Sequence, residues 1–193
     1  MYKYILFDFD GTVFDTVEGI TKSVQYALAK RGIEAELDSL RCFAGPPLVD
    51  MFMEKFDLAQ EEAEAATEDF RERYQPIGLY ECRVFPGIKE LLHALIGAGL
   101  HVGIATSKPQ HLAEKLLEGE GMLELFEVIS GSDSDGNNNS KAAVLTRAMN
   151  ALGADKKETV LVGDTKYDVA GAKACGVDCI GVRYGYAAEG ELA

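Results

Sequence analysis

This chain of 193 residues has no tryptophan, three histidines, five prolines and four cysteines. Four thiols (Cys42, Cys82, Cys175, Cys179) are too few for a disulfide scaffold. The Cys175/Cys179 spacing has no second pair or histidine beside it to complete a zinc site. Reduced, buried thiols in a cytoplasmic protein are the expectation. Long apolar runs are also missing. The first, Ile5 to Phe9, is broken by Asp8, and nothing later approaches the roughly 18 residues of a membrane span. No signal peptide or anchor is visible. Basic residues are the minority, 19 against 32 acidic, for a formal charge of -13. Such a field repels polyanions, which argues against non-specific nucleic-acid binding. It also repels phosphorylated small molecules, so a site for one must carry its own cation or focused donors.

What is present is an ordinary globular composition, 47% apolar and 26% charged, at a length suiting one domain with a small insert. Tyr4-Ile5-Leu6-Phe7 is a dense apolar run of the kind found in strands buried on both faces, and it ends in Asp8-Phe9-Asp10-Gly11-Thr12. From Asp15 or Thr16 the pattern turns helical, with apolar residues every three or four positions up to Gly32. Further helices are expected over Asp38 to Phe43, Pro46 to Phe56 and Ala59 to Tyr74, so 15–82 reads as helical without strand signal. After Phe85-Pro86-Gly87 the chain alternates: helices at Ile88 to Ala98, up to Leu117, Ser140 to Leu152 and Thr165 to Cys175; strands at Leu100 to Ala105, Glu127 to Ser130, Thr159 to Val162 and Asp178 to Val182.

This order predicts an α/β fold: a doubly wound, Rossmann-like parallel sheet over 1–14 and 83–193, with an all-α cap over 15–82 inserted after the first strand. Ligands of such sheets sit at the carboxyl ends of the strands, where Asp8, Thr106 and Asp164 fall. Asp133 to Asn139 is a polar run read as a loop; its resemblance to a calcium loop fails for want of a closing Glu.

Asp8 and Asp10 are two apart and face the same side while the backbone stays extended. Asp164 and Asp168 are four apart, sharing a face if a helix begins there. Carboxylates gathered at adjacent strand ends repel unless a cation sits among them, and an all-oxygen set without His or Cys selects a hard ion, Mg²⁺. Thr106 and Ser107 offer hydroxyls and loop amides, and Ser140-Lys141 a helix cap with a cation. Groups of this kind bind phosphate oxygens.

Four segments, Asp8-Phe9-Asp10-Gly11-Thr12-Val13-Phe14-Asp15, Thr106-Ser107-Lys108, Lys141 and Gly163-Asp164-Thr165-Lys166-Tyr167-Asp168, resemble the four ordered motifs of the haloacid dehalogenase (HAD) superfamily. The helical insert, Gly45-Pro46-Pro47-Leu48 within it, and Gly181-Val182-Arg183-Tyr184-Gly185-Tyr186 are similar to the phosphoglycolate phosphatase-like branch. The resemblance implies Asp8 as nucleophile and Asp10 as general acid and base. It implies Mg²⁺ held by Asp8, Asp164 and the backbone carbonyl of Asp10, with Asp168 acting through water or by orienting Asp164. Thr106, Ser107 and Lys141 would hold the phosphoryl oxygens. Within the superfamily that the chain resembles, an acid two residues after the nucleophile implies phosphoryl transfer, because a dehalogenase has no alkoxide to protonate.

The implied partner is a small phosphorylated metabolite, with neither membrane nor nucleic acid, and the oligomeric state stays open. Phosphoglycolate is the first substrate expected. Nucleoside 5'-monophosphates and pyrophosphate are rivals, and a sugar phosphomutase or a receiver-like phosphoacceptor without turnover are the competing classes. Arg41, Gly45 and Pro46 are the cap residues expected to choose the substrate. Two departures stand out: Ser107 replaces an Asn frequent in relatives, and relatives normally continue beyond the position of Ala193 through another strand and a closing helix.

Overall fold

The computed structural model describes residues 1–133, 140–188 and 190–192. The chain forms two compact units, one of Met1–Phe14 with Val84–Ala193 and one of Asp15–Arg83.

The first unit holds a five-stranded sheet of β1 (Tyr4–Phe7), β4 (His101–Pro109), β5 (Val128–Ser132), β6 (Thr159–Gly163) and β7 (Asp178–Gly181), in the order β5-β4-β1-β6-β7. Every pairing is parallel. β1 is central, which explains why its four residues carry no alternation: both faces are covered. Leu6, Ala105 and Leu161 share a core cluster with Val144, Leu145, Ala148 and Met149 of α6 (Lys141–Leu152) and Ala172 and Cys175 of α7 (Lys166–Cys175). Two further helices, α4 (Ile88–Gly97) and α5 (Gln110–Gly119), pack on β4 and contribute nothing to that cluster.

Register decides where chemistry can occur. Phe7 pairs with Ile104 on one side and Val162 on the other, so Asp8 emerges level with Ala105 and Gly163, and the Asp8 amide donates to the Val162 carbonyl at 2.8 Å. β1 and β6 therefore end at nearly one level, while β4 runs on past it to Pro109.

The second unit packs α1 (Val17–Ala29), a 3₁₀ turn at Leu37–Phe43, α2 (Leu48–Phe56) and α3 (Gln60–Tyr74) around Val24, Leu28, Leu40, Phe43, Phe52, Phe70 and Leu79. Gly19 lets α1 touch the turn at Gly78, where a Cβ would meet the Gly78 carbonyl oxygen at 1.9 Å. Arg73 grips Glu81 with both ends of its guanidinium, at 2.9 and 3.1 Å, and Lys22 adds a third bond at 3.1 Å.

The helical reading of 15–82 needs correction at its edge. Phe14–Asp15 (β2) and Arg83–Val84 (β3) pair as a two-stranded sheet where the chain leaves the first unit and returns to it. Two residues per strand are too few for alternation to show. The four thiols are free, but only Cys175 is buried; Cys42 lies exposed on the 3₁₀ turn. Among the described residues no helix is long and apolar enough to cross a membrane. Of the loop read at Asp133 to Asn139, residues 134–139 lie outside the described residues.

Candidate active site

Asp8, Asp164 and Asp168 are all buried, and each offers a carboxylate oxygen within 4.8 Å of the others. Asp8 and Asp164 reach this point because each follows its strand directly. Asp168 arrives differently. The helix starts only at Lys166, so Asp164 lies outside it and the two carboxylates do not share a helical face as the spacing suggested. Instead Asp168 folds back onto the helix start, where its Oδ2 accepts from the Thr165 amide at 3.0 Å and hydroxyl at 2.9 Å. That turns Oδ1 toward Lys141, 2.9 Å away.

Lys141 sits at the first position of α6, capped by Ser140, whose hydroxyl accepts from the Ala143 amide. Its buried ammonium lies 2.6 Å from Asp8 Oδ1 and 2.9 Å from Asp168 Oδ1, and it donates to the Ala105 carbonyl at 3.2 Å. Ion-paired to two carboxylates and hydrogen-bonded to the Ala105 carbonyl, Lys141 ties the carboxylates to β4. Burial opposes its charge, but the two carboxylates outweigh that and hold its pKa above the ordinary lysine value.

Asp8 uses Oδ1 for both Lys141 and the Phe9 amide, at 2.6 and 2.7 Å, and its Oδ2 carries neither bond. Burial raises the Asp8 pKa far above the carboxylate range, against the pull of Lys141 and with the push of Asp168 and Asp164. Asp164 accepts from the Thr12 hydroxyl at 3.1 Å and the Tyr186 amide at 2.7 Å; burial nevertheless pushes it up to about 6. For Asp168, burial acts upward as well, but Lys141 and the two Thr165 donors prevail, and its pKa is lowered.

Glycines make this density attainable. A Cβ on Gly11 would sit 2.1 Å from Asp164 Oδ2, and one on Gly163 2.3 Å from the Asp168 carboxyl carbon. Gly11 also has φ +82°, open to glycine at little cost.

Asp10 does not join the cluster. Its carboxylate faces Lys108, whose Nζ lies 3.0 Å from Oδ1 and 3.4 Å from Oδ2. Thr106 is buried and Ser107 exposed at the tip of β4, and the Thr106 hydroxyl accepts from the Lys108 amide at 3.1 Å. Arg41, Gly45 and Pro46 belong to the second unit: Arg41 and Gly45 are exposed and Pro46 is half-buried, just before α2.

Sequence reasoning missed Lys108 as the partner of Asp10, and Thr12 and Tyr186 as donors to Asp164. It also missed Tyr184, whose hydroxyl donates to the Thr12 carbonyl at 2.9 Å. All four lie inside segments singled out for other members, so the signal was adjacency to a motif.

A family model described as haloacid dehalogenase-like hydrolase matches residues 5–182. The chain belongs to this family. It is 43% identical over 192 residues to a protein of Pseudomonas aeruginosa named 5'-nucleotidase, covering 99% of this chain and 87% of that one. A phosphoglycolate phosphatase of Rhodospirillum rubrum is 31% identical over 199 residues, covering 98% of this HAD chain and 83% of the relative. Among solved structures, one described as a predicted phosphatase from Clostridium acetobutylicum superposes with a TM-score of 0.95 at 40% identity, over 100% of this chain and 89% of that one.

The HAD site is chemically fit for a hard dication. The donor set is all oxygen, three clustered carboxylates face one ammonium, and Asp8 Oδ2 is unclaimed by the Lys141 and Phe9 bonds. A dication's field would act on Asp8 and Asp164 in the sense opposite to burial.

Proposed function

We propose that this HAD hydrolase is a Mg²⁺-dependent phosphatase that cleaves a small phosphate monoester through an aspartyl phosphate on Asp8. The observation that carries the reading is the clustering of Asp8, Asp164 and Asp168, with Lys141 ion-paired to Asp8 and Asp168 and with Asp10 two residues after Asp8. Asp8, Asp164 and Asp168 would hold the ion, with the Asp10 carbonyl as a further ligand; the ion neutralises phosphoryl charge when bound.

The residues then divide the work. An Asp8 oxygen attacks phosphorus and the ester bond breaks, while Asp10 delivers a proton to the departing alkoxide. Water next attacks the phosphorus of the acyl phosphate, Asp10 takes a proton from it, and the bond to Asp8 breaks to release inorganic phosphate. Splitting one displacement into two is the gain of covalent catalysis, and acid and base assistance adds roughly 10²- to 10⁴-fold. Thr106, the Ser107 amide and Lys141 would hold the equatorial oxygens, Lys141 by exchanging a present partner for one of them.

For the substrate, the greater similarity to the relative named 5'-nucleotidase supports nucleoside 5'-monophosphates ahead of phosphoglycolate, reversing the order expected from the sequence. Arg41, Gly45 and Pro46 are proposed to bear on that choice.

The test is phosphate release from nucleoside monophosphates, phosphoglycolate, sugar phosphates and pyrophosphate, with Mg²⁺ and with EDTA. Metal-dependent turnover of one member, absent in Asp8→Asn, is the expected result. A folded protein that forms a stable aspartyl phosphate without turnover, or that isomerises a sugar phosphate instead of releasing phosphate, would overturn it.

A further inference from the structure

Lys108 is a buried cation that the reaction as described leaves unused. It is nine-tenths buried, and its Nζ lies 3.0 Å from Asp10 Oδ1 and 5.6 Å from the centre of the Phe9 ring. Desolvating a lysine is costly unless a partner compensates, so a buried lysine paired with a loop carboxylate calls for a reason.

The backbone is shaped to deliver it. Along β4 and β5 the register runs Ala105 with Ser130 and then Pro109 with Ser132, so four steps on β4 span two on β5. This bulge bends the strand end, as such insertions do. Thr106 and Lys108 are both buried while Ser107 between them is exposed, and the Lys108 amide is fastened to the Thr106 hydroxyl. The neighbouring strand makes room: a Cβ on Gly131 would lie 2.7 Å from the Lys108 carbonyl oxygen and 2.6 Å from the Gln110 nitrogen.

The opposite end of the pair is equally specific. Asp10 lies only two residues after Asp8 yet is not among the three clustered carboxylates. A carboxylate so close to three others is repelled by them and drawn to a cation within reach. Lys108 supplies that cation.

We infer that Lys108 is a positioning residue that holds the Asp10 carboxylate apart from the metal-binding cluster and aimed for proton transfer. The inference rests on the phosphatase reading given above. Its weight falls on the second half of the reaction. Once Asp10 has given its proton to the leaving group it is a carboxylate, and that is the form an ammonium stabilises and orients. Water then attacks the acyl phosphate, its proton passes to Asp10, and the phosphorus bond to Asp8 breaks.

p-Nitrophenyl phosphate separates this role from general loss of structure, because nitrophenolate leaves without an acid and only the hydrolytic step still needs Asp10. With wild-type turnover of this probe established first, Lys108→Met is expected to give a burst of nitrophenolate equal to the enzyme concentration. A steady state at least about tenfold slower should follow, with aspartyl phosphate trapped on acid quench. Lys108→Arg should recover most of the rate, and Lys108→Met combined with Asp10→Asn should be no slower than Asp10→Asn alone. Parallel loss of burst and steady state, an unchanged rate, or additive losses in the double variant would overturn the inference while leaving the phosphatase reading intact. If Lys108→Met does not fold, Lys108→Gln enters the same cycle and decides by the same criteria. Absence of wild-type turnover of this probe and of every ester in the panel would instead remove the phosphatase reading itself.

Discussion

Gly185 lies directly against Asp164: a methyl group there would come within 2.3 Å of the Asp164 Cβ and 2.4 Å of its Oδ2, with the Gly11 carbonyl 2.5 Å away. The next residue, Tyr186, donates its amide to that same Oδ2. Gly185→Ala is therefore expected to push this segment off Asp164 and weaken Mg²⁺ binding by about 10- to 100-fold, the usual scale for losing a group that orients a ligand. Calorimetric titration with Mg²⁺ measures it, and circular dichroism should show the fold retained. Unaltered affinity would mean that the segment does not set the carboxylate.

Asp164 makes a second prediction, about pH. Its pKa is raised in the folded state to about 6 from an ordinary 3.8, so folding favours its protonated form. In EDTA its ionisation costs stability progressively as pH rises from about 4 to about 6. Asp164→Asn lacks this penalty, so its melting temperature relative to wild type should climb across that window and level off above it. A constant difference between pH 4 and 7 would contradict the assignment.

The helical unit has the opposite pH sense. Glu81 is held below its usual range, chiefly by its hydrogen bonds to Arg73 with Lys22 assisting, against burial. Its stabilisation is complete above about pH 4.5 and fades as pH falls through the lowered value. Glu81→Gln should cost about 2 kcal/mol at neutral pH, by the loss of charged hydrogen bonds, and less as the solution is acidified. Urea unfolding at pH 7 and pH 3.5 checks both statements.

Arg41→Ala is expected to raise KM or alter the ranking of substrates while Mg²⁺ affinity stays at the wild-type value. The panel of phosphate esters reads out the first and metal titration the second. An identical substrate profile would remove Arg41 from substrate choice.

How much of this was legible depends on the distance over which each feature is determined. Asp8 and Asp164 are legible because each ends an apolar run that is buried in the sheet, and a parallel sheet follows from the alternation of elements, though the strand order does not. Asp168 was found for an incomplete reason: its spacing from Asp164 suggested a shared helical face, whereas its return onto Thr165 places it. The pairing of Lys108 with Asp10 spans 98 residues and depends on a bulge, which leaves no periodic trace in the sequence. The sequence offers Lys141 as a cation for an anion, but its ties to Asp8, Asp168 and the Ala105 carbonyl depend on α6 packing beside β4.

The short β2–β3 pairing has a wider meaning. Because Phe14–Asp15 and Arg83–Val84 lie side by side, the 69 residues between them, Asp15 to Arg83, leave and rejoin the sheet unit at neighbouring points. Lengthening, shortening or exchanging that segment changes little in the loop-closure cost of the rest, since closure entropy grows only slowly with length. The clustered carboxylates of Asp8, Asp164 and Asp168, and Lys141 beside them, all lie outside it. Exchanging that segment for another of different length is therefore expected to leave the sheet unit and its carboxylate cluster in place.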